Sequence, residues 1–511
     1  MHRLLAGIVQ LVSIPAVLAG TMFLLGLALF THDNGFPYQY HPDEHSKVRQ
    51  ILTGERNLRH PLLLLNTTDL AVRMTSGPRT EQSVAVIGRC VAAAFAAGAV
   101  AALALLGRAV AGTGAGWLAG ALALTNPQIY ECAHYFKEDT ALLLGCAVTW
   151  LFVMRFLQQR TDWNAVGIGL GLALAASGKY LGLVNSLLVI TALVVSFRRD
   201  PLRIAMRRTL LVIASAAAIF LAINHQLVSA PEQLLHSLDF EMKHIVEGES
   251  GIARRVPHAF YFGRMLEVLT PAILVGGLGF LVYVLMRRRD LWPVALFPLV
   301  YLAALSCSPK VALRYFLPVT AAGCVFAAAG ACLFFQQSRR SPRLRRSLLV
   351  LAAAGAFTGA LLLSQVAPLR TMIRSFTKDS RLELTDWILA NVPAGTKLAY
   401  ETKVGLEWLT ERVPRLQDYQ LLRKDYVADL GTVDELRERG IRYVAVYGVT
   451  RSFHRGAQQF PQPSVRQAFE RRRDFYAQLD DSTHLVWKRK QGPAGYTLPG
   501  LRLYDLHATA Q

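Results

Sequence analysis

Residues 4–30 read LLAGIVQLVSIPAVLAGTMFLLGLALF, and shortly after them residues 40–45 read YHPDEH. The apolar run is far longer than the roughly 7–15-residue core of a cleavable signal peptide and exceeds the ~20 residues a helix needs to cross a bilayer. It reads as a retained first membrane helix. Asp43 and Glu44 follow in a polar loop that runs to the next apolar stretch near Val84, behind Pro42, whose ring fixes the local backbone. Two adjacent carboxylates just outside a membrane helix are placed for acid–base chemistry at the membrane surface; the alternative is a solvated acidic pair.

The rest of the chain repeats the first pattern. Of 511 residues, 53% are apolar and 18% charged, with mean hydropathy +0.31, too apolar for an ordinary soluble protein. Eleven apolar stretches stand out: 4–31, 84–107, 112–130, 139–157, 163–178, 181–197, 209–226, 265–286, 291–306, 315–335 and 347–366. Most approach the width of a bilayer as helices; 163–178 and 291–306 are shorter and would tilt less, reach into the interface or sit behind other helices. An integral membrane protein follows.

The formal net charge of +20 would suit a nucleic-acid binder, but its distribution does not. Arginines such as Arg108, Arg155, Arg198, Arg207, Arg288 and Arg343 crowd every second connection, with only Asp162, Asp200 and Asp290 among them. Short arginine-rich connections stay in the cytoplasm, which puts the N-terminus inside and, after eleven crossings, the C-terminus outside. Contact with membrane lipid accounts for the charge, and no nucleic-acid partner is expected. Cys90, Cys132, Cys146, Cys307, Cys324 and Cys332 lie in or beside apolar stretches without paired metal-ligand spacing and read as small packing residues. Asn66-Thr67-Thr68 matches the N-glycosylation acceptor pattern, which also arises by chance.

On this topology the polar clusters of interest share the outer side. Lys47, Val48, Ile51 and Leu52 have the spacing of a short helix lying on the membrane. Before the fourth apolar stretch the chain reads Tyr130-Glu131-Cys132-Ala133-His134-Tyr135-Phe136-Lys137-Glu138-Asp139, a second acidic cluster that could equally cap the next helix. Lys179, in the short turn Ser177-Gly178-Lys179-Tyr180, either snorkels to headgroups, the favoured reading, or faces a cavity to hold an anion. Residues 227–264 contain an amphipathic surface helix; His236, Asp239 and His244 match no standard metal spacing. Arg314 stands just inside an apolar stretch, where an unpaired guanidinium is costly; phosphate, Asp139 or Glu138 could satisfy it.

From about Ala367 the composition becomes that of a soluble domain. Helices are expected over 383–391, 433–439 and 464–479, and strands over 397–401, 441–447, 484–488 and 501–505. The expected architecture is a polytopic α-helical membrane region, 1–366, followed by an extracytoplasmic α/β domain, 367–511, that has no cysteine to support it by a disulfide.

His41-Pro42-Asp43-Glu44, Lys137-Glu138-Asp139, Gly178-Lys179-Tyr180, and Pro309-Lys310 with Arg314-Tyr315-Phe316-Leu317-Pro318 together resemble the GT-C superfamily of membrane glycosyltransferases. More narrowly they are similar to the dolichyl-phosphate-mannose protein mannosyltransferase and lipid A aminoarabinose transferase group. The resemblance implies a polyprenyl-phosphate sugar donor, inverting transfer, an acceptor on the outer face and residence in the bacterial inner (plasma) membrane. Carried over by motif, Asp43 becomes the general base with Glu44 beside it, and Asp139 orients acceptor or base. Lys179, Lys310 and Arg314 hold the donor phosphate, while His41, His60, Glu138, Tyr180 and Tyr315 are substrate-contacting candidates. A divalent metal is used by some relatives, although no strong ligand set is legible in this chain. A polymerase or ligase of lipid-linked glycans would use the same donors and face. Transport is the competing class, and no convincing internal repeat supports it.

Overall fold

The computed structural model describes residues 14–247, 257–288, 291–307, 311–340, 348–455 and 463–508. These described residues form two compact units, one within 14–34, 43–247 and 257–369, the other within 35–42 and 370–508.

Each of the eleven apolar stretches is at least partly helical in the first unit. Among the described residues, six helices are both long and apolar enough to cross a membrane: Glu81–Ala111, Asp139–Gln158, Tyr180–Arg199, Leu202–Ile223, Leu313–Ser338 and Gly355–Thr377. Ala259–Val268 and Pro271–Arg287 make a seventh span only if joined across a 111° bend. That bend falls where Thr270 caps the second helix by accepting from the Ile273 amide, ahead of Pro271, which cannot continue a preceding helix. Pro15–Thr31, Thr113–Leu124 and Trp292–Ser306 are shorter apolar helices. The surface helix expected after residue 227 is Pro231–Glu247, with the side chain of His244 outside the described set. Asn66 lies within a helix, Leu63–Met74, and its amide donates to Ile223 O at 2.8 Å and Gln226 Oε1 at 2.9 Å.

Small residues let membrane helices approach backbone to backbone. A Cβ added at Gly145 would lie 2.0 Å from the Ala175 amide nitrogen, and one at Gly178 would lie 2.5 Å from that of Leu142. The Asp139–Gln158 and Asp162–Gly178 helices are thereby drawn together, and Lys179 leaves the second beside the start of the first.

The second unit is a five-stranded sheet of order β2-β1-β3-β5-β4, with β1 Lys397–Glu401, β2 Gln420–Lys424, β3 Tyr443–Tyr447, β4 His484–Arg489 and β5 Leu501–Asp505. The first three strands are parallel and β5 runs antiparallel to both its neighbours. Alternation along β3 sends Tyr443, Ala445 and Tyr447 to a core with Leu384 and Ile388 of the Ser380–Asn391 helix; Val444 and Val446 join Phe475, Tyr476 and Leu479 of the Pro463–Ser482 helix. The strand β2 was not expected: it is an exposed edge strand without apolar alternation, so it carries little periodic signal. Gly35–Pro42 also packs in this unit, where the Tyr40 hydroxyl donates to Asp379, the Arg381 guanidinium stands 4.0 Å over the Tyr40 ring, and His41 packs 4.4 Å from Tyr496.

Gly145→Ala should lower the apparent melting temperature of the full chain in detergent, since overpacking against backbone costs about 1–3 kcal/mol or more. Gly279→Ala, where an added Cβ meets nothing within 4 Å, serves as the control and should be close to neutral. Equal melting temperatures for wild type and Gly145→Ala would refute this tight helix contact.

Candidate active site

The acidic pair is not in a loop. Pro42 opens a helix, Pro42–Thr53, and Asp43 and Glu44 occupy its first turn, where the missing proline N–H costs nothing and the helix dipole favours carboxylates. Lys47, Val48 and Ile51 are buried in the protein, so this face packs inward where its spacing suggests a helix lying on the membrane.

The two carboxylates then diverge. Glu44 is fully buried, and Arg89 Nε and Nη2 donate to its two oxygens at 3.0 and 2.5 Å. The Phe136 amide donates to Glu44 at 2.8 Å, and Arg89 Nη1 donates to Asn34 O at 2.8 Å. Glu44 is therefore enclosed in a structural fork with no surface for a substrate. Asp43 remains 37% exposed, with Lys137 Nζ 2.5 Å away.

From Asp43 the charges alternate. Lys137 lies 3.8 Å from Glu138, which accepts from Lys47; all three side chains are buried. Burial opposes charge on both Glu138 and Lys137. Lys47, His60 and Lys137 nevertheless hold Glu138 well below the usual carboxylate range, and Glu138 and Asp43 hold Lys137 above the usual lysine range. On the other side, Arg314 Nη2 is 3.8 Å from Asp43 and Arg314 Nε is 4.0 Å from Asp139. Asp139, the first residue of its helix, accepts from Lys179. Lys179 is buried beside this carboxylate and does not snorkel. Arg314 sits in the turn Leu313–Phe316 before the Leu317–Arg340 helix and is 30% exposed. The open face of the network is thus Asp43 and Arg314.

Tyr315 flanks both cations, its ring 4.9 Å from Lys179 Nζ and 5.5 Å from the Arg314 guanidinium. The Tyr180 hydroxyl donates to Leu58 O at 3.3 Å, and Leu58 itself has φ +52°, a costly conformation for a bulky residue. Burial lowers His60 to about 4, so its imidazole is neutral at physiological pH. His41 belongs to the second unit. Lys310 lies outside the described residues. Among the described residues no three His, Cys, Asp or Glu side chains come together to hold a metal ion, and Asp43 and Asp139 are each paired with a lysine.

Four participants were not singled out from sequence. Arg89, a lone charge in an apolar stretch, is the one with a legible signal, since such a residue demands a partner. Lys47 reads as part of a membrane-surface helix, and Lys137 stands in the Lys137-Glu138-Asp139 motif without a role of its own. Glu131 is raised to about 7 by burial, with Arg314 opposing and Asp139 reinforcing the shift.

No protein-family model and no curated protein sequence matches the chain. Its fold is similar to that of ArnT from Cupriavidus metallidurans bound to undecaprenyl phosphate, with a TM-score of 0.50 at 12% identity, covering 94% of this chain and 97% of that one. An oligosaccharyltransferase of Archaeoglobus fulgidus aligns with 86% of this chain and 71% of its own at 12% identity and a TM-score of 0.47. The S. cerevisiae protein O-mannosyltransferase Pmt1-Pmt2 complex bound to the sugar donor aligns with 52% of this chain and 38% of its own at 13% identity and a TM-score of 0.35. These are GT-C membrane glycosyltransferases, and the ArnT likeness shows that the chain shares their fold.

Removing one partner of the fork leaves a buried charge unpaired, so Glu44→Gln or Arg89→Met should each cost about 3–5 kcal/mol. The double variant should recover part of the loss in thermal unfolding; singles as stable as wild type would remove the fork from the fold's supports. Glu131 should show a pH signature. Its folded value of about 7 lies above the unfolded 4.5, so the folded state holds the proton more tightly. The associated stability is complete below about 4.5 and is lost as pH rises through 7. Glu131→Gln should therefore stabilise by roughly 1–3 kcal/mol at pH 8 and be near neutral at pH 4.5; a pH-independent effect would contradict the raised carboxyl.

Proposed function

We propose that this chain, with the fold of the GT-C membrane glycosyltransferases, transfers a sugar from a polyprenyl-phosphate donor to an extracytoplasmic acceptor with inversion at the anomeric carbon. The observation that carries this reading is the pairing of one exposed carboxylate, Asp43, with a partly exposed guanidinium, Arg314, 3.8 Å away at the ends of membrane helices. A lipid-linked phosphate brings its charge to such an interface while its chain stays in the bilayer. ArnT, which shares the fold, holds undecaprenyl phosphate, and this supports the same donor class here.

Chemically, the acceptor hydroxyl oxygen bonds to the anomeric carbon as the bond from that carbon to the phosphate oxygen breaks. The hydroxyl proton passes to Asp43, and the lipid phosphate leaves with the electron pair. Its charge grows as it departs, and the preorganised cations Arg314 and Lys179 meet that growth where water is scarce. Asp139 fixes the Lys179 amine and lies within 4.0 Å of Arg314, so it orients both cations. Tyr315 packs against the same cations, Glu138 acts on them at one remove, and His60 and Tyr180 border the site.

Sidedness follows from charge. The opposite ends of these helices carry Arg160 and Arg208 on Asp200 and Arg207 on Asp162. An arginine-rich end favours the cytoplasm, which turns the Asp43 end outward, together with a membrane region over 1–366 and an extracytoplasmic α/β domain over 367–511. That orientation suits the bacterial inner membrane, with the N-terminus inside.

The test is transfer from radiolabelled polyprenyl-phosphate sugars to cell-envelope extract by the purified full chain. Asp43→Asn keeps size and hydrogen bonding but not the proton acceptor, so turnover should fall roughly 100- to 10,000-fold with donor binding preserved. Arg314→Ala should instead weaken polyprenyl-phosphate binding by roughly 1.5–3 kcal/mol. Wild-type turnover in folded Asp43→Asn would remove the base assignment, and the absence of any labelled product would remove the enzyme reading.

A further inference from the structure

Lys137 has no role in the motif-based assignment, yet its ammonium pairs directly with Asp43. Its ammonium is 2.5 Å from the exposed carboxylate and 3.8 Å from the buried carboxylate of Glu138, while its own side chain is only 7% exposed. Glu138 is in turn held by Lys47, itself buried on the Pro42–Thr53 helix that carries Asp43. The path Asp43–Lys137–Glu138–Lys47 therefore leaves this helix and returns to it one turn later. A buried lysine costs several kcal/mol to desolvate unless both of its neighbours are anionic. Here they are, so Lys137 has little freedom to follow a substrate.

We infer that Lys137 is a positioning residue for Asp43: it holds the carboxylate ionised and aimed, with the Glu138–Lys47 pair as its anchor. This rests on the proposed glycosyl transfer. Charged and titratable groups acting on Asp43 or Lys137 include Glu138, Arg314 from the turn before the Leu317–Arg340 helix, Asp139 from the start of its own helix, Lys47 from the Pro42–Thr53 helix, and His60. Lys137 is a cation within hydrogen-bond distance of Asp43, at 2.5 Å. Removing an adjacent cation disfavours an ionised carboxylate, so the proton should be retained to higher pH. The misaimed carboxylate should also react more slowly, because an error of about 1 Å in such a group costs on the order of 100-fold.

The experiment is the pH profile of kcat/KM, with lipid-phosphate binding and thermal unfolding measured alongside. Lys137→Gln keeps a hydrogen-bond donor between Asp43 and Glu138 but removes the charge. Its kcat should fall roughly 10- to 100-fold, its acid limb should move to higher pH, and its donor affinity should stay within about threefold of wild type. Lys137→Arg, which keeps the cation, should return the acid limb to its wild-type position whatever its kcat, and it decides the matter if Lys137→Gln does not fold. An acid limb that moves in Lys137→Arg as it does in Lys137→Gln, or that stays in place in Lys137→Gln, would overturn the inference. Failure of the functional reading looks different: the wild type then makes no product at any pH. If transfer occurs and depends on Asp43 but keeps its pH profile in Lys137→Gln, only the positioning role is lost.

Discussion

A carboxylate and a guanidinium, both withdrawn from water, hold the membrane unit's functional end together. Glu44 and Arg89 meet in a bidentate fork with no exposed surface, and the Phe136 amide closes the remaining side. The fork joins the Pro42–Thr53 helix to the Glu81–Ala111 helix and to the turn ahead of Asp139. Such a pair adds little net stability over an apolar equivalent, but either half alone would be a severe liability. Its effect is registry: with Glu44 pinned, Asp43 must emerge on the adjacent face of the first helical turn, opposite Lys137.

The surrounding charges obey the same constraint. Lys47, Glu138, Lys137, Asp43, Arg314, Asp139 and Lys179 alternate in sign, so each buried member is compensated by its neighbours. The contacts of Arg314 are 3.8 and 4.0 Å, and Lys137 stands 3.8 Å from Glu138; Arg314 and Asp43 are the most exposed members of the series. The more exposed members are the ones an incoming charge can reach. Close helix contact at Gly145 and Gly178 supports the network by bringing Lys179 to Asp139.

The soluble unit is stabilised by different means. Alternating strand residues feed two apolar cores, and the one buried carboxylate at the end of β1, Glu401, accepts from the Tyr447 amide at 2.7 Å and from the Tyr476 hydroxyl. Burial raises Glu401 to about 7. Gly35–Pro42, distant in sequence, is gathered into this unit around Tyr40, whose hydroxyl bonds Asp379 and whose ring lies under Arg381.

Sequence alone determined the features that depend on local composition. Long apolar runs must be membrane helices because lipid cannot satisfy exposed backbone; a short, continuously apolar run such as 443–447 reads as a buried strand; and the motifs around Asp43, Asp139, Lys179 and Arg314 resemble a family whose fold the chain shares. Tertiary structure decided everything that depends on a partner. Asp43 and Glu44 are adjacent and chemically alike, yet one is partly open and the other enclosed by the fork with Arg89, 45 residues away. Lys179 reads as a snorkelling lysine until Asp139 is found beside it, and Lys137, in the motif Lys137-Glu138-Asp139, has no role of its own until Asp43 and Glu138 are found at its ammonium. The edge strand β2 has no apolar rhythm and is a strand because β1 offers it a ladder. The physical reason is common to all of these: hydrophobic periodicity is written along the chain, whereas the cost of burying a charge is settled by whichever opposite charge the fold brings within a few ångströms.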